Sequence, residues 1–216
     1  MGKRVSKKKA SVGGDEESAR ARLLGAATNL FCRYGINATG IDAIIDEAGT
    51  AKTTLYKLFG SKTNLVNAVL ESEGKAWREW FIGAMEEGGG DAQAKLKRIF
   101  PALKRWFAEE RFYGCPFINA VAEHDKDAKA FRNIALRHKK VVLAHIEKLA
   151  GEMGAAEPQM LAHQLALLID GAIVAAMVSR DPGVADTAGL AAGNLYEPSK
   201  VKKPKRAGAG EQLVAV

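Results

Sequence analysis

Apolar positions recur in two short bursts near the middle of the first half of the chain. Ile41, Ile44, Ile45 and Ala48 fall at helical spacing and define one apolar stripe over about two turns. Leu55, Leu58 and Phe59 form a second stripe in the segment from about Lys52 to Phe59, whose opposite face carries Lys52, Thr53, Tyr56 and Lys57. Thr39, with Asp42 three residues on, stands at the spacing of an N-cap hydroxyl and an acidic N3 residue. Gly49 supplies a left-handed stop after Ala48, and Ser61 is placed to cap a further helix. Upstream, Leu23, Leu24, Ala27, Leu30 and Phe31 predict a helix from Asp15 to Tyr34 that ends at Gly35, with Asp15, Glu16 and Glu17 at its N-terminal end, where the helix dipole favours acids.

The remainder of the chain continues in helical periods. Leu65, Val69, Trp77, Trp80, Phe81 and Met85 predict one long helix from Ser61 to Met85, broken by Glu86-Glu87-Gly88-Gly89-Gly90. Leu96, Phe100, Leu103 and Phe107 predict a helix over Asp91–Glu109, with Pro101 inside it as a kink. Further helices are expected over Pro116–His124, Ala128–Gly151, Pro158–Val178 and Pro182–Tyr196. Runs of alternating β-branched residues are scarce, so the fold class is all-α.

Composition adds a location to the charge. The 216 residues are 47 % hydrophobic, enough for a substantial core, and carry a formal net charge of +7. Lys3, Arg4, Lys7, Lys8 and Lys9 at one end and Lys200, Lys202, Lys203, Lys205 and Arg206 at the other hold that excess; residues 10–197 are slightly acidic. Residues 1–14 are expected to be a disordered basic arm without the apolar core of a signal peptide, and residues 198–216 a disordered basic tail. Between them the pattern predicts one helical domain over 15–70 and a second over 71–197. No run of about eighteen uncharged apolar residues occurs, so no membrane span is expected. Two cysteines, Cys32 and Cys115, fit a reducing cytoplasm better than a disulfide framework. Cys115 precedes a helix whose dipole could lower a thiol pKa.

One window departs from this background. No Asp or Glu occurs between Glu47 and Glu71, whereas Lys52, Lys57 and Lys62 fall inside that interval, which makes a polyanion the natural partner. Two short helices joined through a glycine describe a helix-turn-helix, whose second helix enters the DNA major groove. Ser61 and Lys62 add free backbone N–H groups and a cation suited to a phosphate.

The run Phe31-Cys32-Arg33-Tyr34-Gly35, followed by Thr39, Ile44, Ala48-Gly49, Leu55-Tyr56, Phe59 and Ser61-Lys62, resembles the DNA-binding region of the TetR family of bacterial transcriptional regulators, from about Arg20 to Leu70. The resemblance implies an N-terminal helix-turn-helix domain and a C-terminal helical domain that dimerises and binds a small-molecule effector. It implies phosphate contacts for Thr39, Tyr56 and Lys62 and base or phosphate contacts for Thr53, Thr54 and Lys57; Lys52 and Thr50 complete the expected DNA-binding set. Ala51 stands where the family commonly has a capping Ser, which leaves Thr50 to cap the second helix of the motif, and Lys57-Leu58 stands where His or Tyr is common. Gly114-Cys115-Pro116-Phe117-Ile118-Asn119, followed by Glu123, is similar to a pattern in one group of TetR-like regulators.

In the second domain the aromatic residues between Trp77 and Phe117 suggest an apolar cavity with a few polar groups, the usual construction of a small-molecule site. The expected lining is Trp77, Phe81, Trp106, Phe117, Asn119, Glu123, His145 and Asp170. The Pro158–Val178 helix is apolar around most of its circumference, so Leu161, Leu165, Leu168, Ala172 and Ala175 are expected in a two-fold interface. The four histidines lack HxxH or HExxH spacing, and no phosphate loop or Ser/His/Asp arrangement occurs, so no metal, cofactor or catalysis is expected. The reading is a cytoplasmic, homodimeric, ligand-responsive repressor that binds a palindromic double-stranded operator. The alternative is a nucleoid-associated or architectural DNA-binding protein using the basic ends.

Overall fold

The computed structural model describes the backbone of residues 9–124 and 129–196, with side chains of the first helix from Asp15 onward. Ten helices occupy these residues: α1 (Lys9–Tyr34), α2 (Ile41–Ala48), α3 (Lys52–Phe59), α4 (Lys62–Glu86), α5 (Ala92–Lys97), α6 (Ile99–Phe107), α7 (Pro116–Glu123), α8 (Lys129–Glu152), α9 (Pro158–Ser179) and α10 (Val184–Tyr196). No strand occurs among the described residues, as the all-α expectation requires.

The first three helices and the start of α4 pack as one unit. Leu23, Ile44, Leu55 and Leu65 are each fully buried where α1 meets α2, α3 and α4. Helix α1 begins at Lys9, ahead of the expected Asp15, so the acidic triplet sits inside the helix and not at its dipole end. Residues 9–14 of the expected arm are therefore helical; residues 1–8 and the tail 198–216 lie outside the described residues.

Gly49 is left-handed (φ 58°, ψ 46°), and the next N–H, of Thr50, donates to the Ile45 carbonyl at 3.0 Å, closing α2 as expected. Ser61 caps α4 by accepting from the Asn64 N–H at 3.1 Å. The cap predicted for α2 is corrected: its N-cap is Gly40, and Thr39 turns inward. Its hydroxyl donates to the Gly35 carbonyl at 2.7 Å and lies 3.3 Å from that of Leu30, so it satisfies the end of α1.

Helix α4 leaves this unit and runs into the second domain, where it packs on α5, α6 and α8. The helix expected over 91–109 is two helices, divided at Arg98. Pro101 explains the position of the break. It has no N–H for the Lys97 carbonyl and its ring would strike that carbonyl, so the chain interrupts the helix there and leaves Pro101 in the first turn of α6, where it is tolerated. Arg98 then donates to the Met85 carbonyl at 2.8 Å and to that of Gly89, binding the glycine loop to the end of α4.

Helices α8, α9 and α10 cover the far side, with α9 packed against α8, α10 and α6. Helix α9 is long and apolar enough, by length and composition, to cross a membrane, in contrast to the sequence expectation. In this fold it is a partly buried core helix: Leu165, Ile169, Ile173 and Ala176 point into the domain, and Asp170 pairs with Lys139 of α8.

Candidate nucleic-acid interface and helical cavity

The exposed side of α3 is built by subtraction. Leu55 and Phe59 are consumed by the core, which leaves Lys52, Thr53, Tyr56 and Lys57 facing outward, with Tyr56 45 % exposed and Thr54 half-buried beside them. Lys52 pairs with Asp42 of α2 at 2.9 Å, both side chains largely in solvent. This partner holds the lysine in its charged form, first by hydrogen bond and then by charge. Lys57 pairs with Glu16 of α1, a contact that sequence spacing did not signal because 41 residues separate the two.

Three members of the expected contact set are placed differently from the reading above. Thr39 is only 3 % exposed and its hydroxyl is already used internally, which makes it a residue that fixes the turn between α1 and α2 and not a side-chain phosphate ligand. Thr50 does not cap α3. The N-cap is Ala51 without a side-chain bond, and Thr50 Oγ1 is buried without a partner. Lys62 is half-buried, and its Nζ donates to the Ile36 carbonyl at 2.6 Å. Burial lowers its pKa, opposed by the nearby Glu123 carboxylate.

The second domain contains a cavity of about 80 Å³ between α4, α6, α8 and α9 and the start of α7. Trp77, Trp106, Phe117 and Asp170 line it as expected. Trp77 meets Trp106 edge-on with centroids 5.5 Å apart, and Phe117 stacks on His138 at 4.1 Å. Gly74 permits this approach, since a Cβ there would lie 2.6 Å from Phe117 Cζ.

The other four expected members lie elsewhere. Phe81 is fully buried behind Trp77, stacked on it at 4.6 Å. Asn119 and Glu123 border a smaller cleft of about 20 Å³ between α7 and the DNA-binding unit. His145 faces Glu86, 3.7 Å away, near the opposite end of α4. Helical spacing places these residues on the right helices but at the wrong height along them.

Three polar residues of the cavity wall, Glu73, Cys115 and Lys139, were absent from the expected lining, and His138, a polar residue that the helical pattern puts near the aromatic cluster, also lines it. His138 is held neutral. Its pKa falls to about 3, mainly through burial and then through Arg78 and Lys139, and Arg78 Nη1 lies 3.0 Å from its Nδ1. The Cys115 thiol is pushed up by burial, which outweighs the N–H groups of Ile118 and Phe117 at the start of α7; the expected dipole activation is overruled. The Glu73 carboxyl is also raised, first by burial, with Thr28 and Arg111 opposing.

Most of the residues expected in a two-fold interface on α9 face the subunit's own core. Leu161, Leu165 and Ala172 are buried inside the subunit and Leu168 is half-buried, so of the expected five only Ala175 is exposed. The outward stripe is Leu167 (56 % exposed), Val174 (40 %), Ala175 and Val178 (76 %), with Leu190 of α10 exposed to 77 %. A helix apolar on all sides does not reveal from its sequence which face its own domain takes.

Residues 23–69 match the profile described as "Bacterial regulatory proteins, tetR family". The crystal structure of SCO4454, a TetR-family transcriptional regulator from Streptomyces coelicolor, is 30 % identical and superposes with a TM-score of 0.76, covering 83 % of this chain and 95 % of that one. The chain belongs to the TetR family. This TetR-family regulator is also 26 % identical over 178 residues to an uncharacterized HTH-type transcriptional regulator in the lacX 3' region of Lactococcus lactis, across 79 % of this chain and 89 % of that protein. Over 55 residues, 26 % of this chain and 25 % of the other, it is 44 % identical to the HTH-type transcriptional activator FasR of Mycolicibacterium smegmatis. It is thus a transcriptional regulator with an N-terminal helix-turn-helix and a C-terminal helical domain.

Proposed function

We propose that this TetR-family protein is a homodimeric, ligand-responsive repressor that binds a palindromic operator in the cytoplasm. In this reading Tyr56 holds a phosphate, Lys62 does so by exchanging the Ile36 carbonyl for it, and Lys52, Thr53, Thr54 and Lys57 face the major groove. Tyr56 on one exposed helix face, together with an apolar stripe at Leu167, Val174 and Val178, carries the proposal. The first offers donors to a polyanion, and the second offers a self-complementary surface that would fix the separation of two α3 helices.

The cavity against α4 supplies the regulatory element. An effector releases DNA only to the extent that it binds one spacing of the two α3 helices better than the other. Helix α4 begins at the DNA-binding unit and carries Glu73 and Trp77 at the cavity, so a change in its tilt is felt at both ends. Repression is the direction proposed, although a 55-residue stretch is 44 % identical to part of a transcriptional activator.

A gel-shift titration on the protein's own promoter region, with random duplex as competitor, tests this reading. Retained binding in excess random DNA is expected. Loss of most of the binding would favour a nucleoid-associated or architectural role instead.

A further inference from the structure

The cavity wall has an unbalanced charge. Lys139 and Asp170 neutralise one another across α8 and α9. His138 is uncharged near neutral pH, as its depressed pKa requires. Glu73 is left: no Lys, Arg or His nitrogen pairs with its carboxylate within 4 Å among the described residues. Among the described residues its one hydrogen-bond neighbour is the Thr28 hydroxyl, at 3.5 Å. Arg111 acts on Glu73 only through its field, because its guanidinium donates to Asn29 Oδ1 and the residue is exposed. Arg78, bonded to His138, does not line the cavity.

The rings of Trp77, Trp106 and Phe117 line the same wall, Trp77 with one face stacked on Phe81 and Phe117 with one face stacked on His138. Aromatic rings attract cations through their quadrupole, most strongly where water is excluded, and an unpaired half-buried carboxylate needs a positive partner for the same reason. In addition, Trp77 Nε1 is buried and has no acceptor. A volume of about 80 Å³ holds roughly six water-sized groups, the scale of a single ring with a short arm.

We infer that the effector of this cavity is a small organic ammonium ion bearing one aromatic ring and a hydrogen-bond acceptor, with Glu73 as its counter-charge. The inference rests on the effector reading of the cavity given above. Glu73 also faces Thr28 of α1, so a ligand ammonium competes with a contact that reaches the DNA-binding unit. Capture of the carboxylate and loss of the Thr28 contact are then one event.

Three compounds with the same phenol ring and different charge isolate the claim: tyramine, tyrosol and 4-hydroxyphenylacetate, titrated calorimetrically into the full-length protein. Tyramine is expected to bind at least tenfold more tightly than either of the others. Glu73→Gln should weaken tyramine at least tenfold, leave tyrosol unchanged, and keep the wild-type melting temperature within a few degrees. Equal affinities, a preference for the anion, a tyramine preference that survives Glu73→Gln, or no binding of any of the three would each overturn the ammonium assignment. Operator release is read separately in the same samples. Release by tyrosol or the anion would uphold the effector reading while removing the ammonium class; tyramine bound without release would uphold the class and remove the effector reading.

Discussion

Asn37 and Glu123 clasp the two domains together. The Asn37 backbone N–H donates to Glu123 Oε2 at 2.9 Å, and Asn37 Nδ2 donates to the Glu123 carbonyl at 2.6 Å. Gly35 lies under the same carboxylate, with φ of 89°, a conformation that favours glycine, and a virtual Cβ 3.1 Å from both carboxylate oxygens, so a side chain there would strain the turn and push on the Glu123 carboxylate. Helix α7 begins at the cavity with Pro116 and Phe117 and ends on this turn. Glu123→Ala removes an acceptor from a partly exposed contact. It should lower stability by about 1 kcal/mol, read as a lower urea midpoint with an unchanged slope. An unchanged midpoint would show that the clasp adds nothing to the fold.

The Lys57–Glu16 pair sets up a competition. For Lys57 to meet DNA it must leave Glu16, so Glu16→Gln should raise operator affinity a few-fold at low salt, with the gain fading as salt screens the pair. The number of phosphate contacts is unaltered, and the log–log salt slope should change only by the small screening contribution of that pair. Lys57→Ala should instead relax base preference at one position of each half-site, at a cost of about 1–3 kcal/mol of discrimination. Selected-site profiling checks both; a profile identical to the wild type would remove Lys57 from base reading.

Helix α9 separates two kinds of damage. Ala172 is 3 % exposed inside the subunit, so Ala172→Glu buries a charge and should unfold the second domain, at a cost of several kcal/mol. Val174 lies on the outer stripe, and Val174→Glu should leave the helical circular dichroism intact while sedimentation shows a smaller species. A Val174→Glu protein that stayed dimeric would move the interface elsewhere.

His138 gives a pH signature. Its folded pKa, about 3, lies below the ordinary histidine value, so between those two values the unfolded chain binds more protons than the folded one. Stability contributed by neutral His138 is therefore fully present above about pH 6.5 and is lost as pH falls toward 3, with a slope of at most about 1.4 kcal/mol per pH unit. His138→Gln should flatten urea midpoints measured from pH 7 to pH 4. An equally steep decline in the variant would assign the loss to other groups.

Much of the fold was legible because single residues decide it. Gly49 and Ser61 mark α2 and α4 in the sequence by the same chemistry that ends and begins them in the structure. The failures share a cause. Thr39 reads as a cap locally, but its hydroxyl is claimed by carbonyls of α1. Pro101 was read as a kink within one helix, whereas its clash acts four residues upstream and divides the helix in two. In the cavity, Trp77 and Asp170 were found by type and helical spacing, while Glu73 resembled any solvated acid on a long helix until α8 and α9 enclosed its side. On α9 the outer stripe is defined only by what α8 and α10 cover.

Hydroxyl-radical footprinting of the wild type and Val174→Glu on the protein's own promoter region tests the central claim most directly. Two symmetric protected half-sites, on one face of the duplex and separated by about one helical turn or a multiple of it, are expected for the wild type and absent for the variant. Continuous protection without half-sites, or a wild-type pattern retained by a monomeric Val174→Glu protein, would contradict an operator-binding dimer.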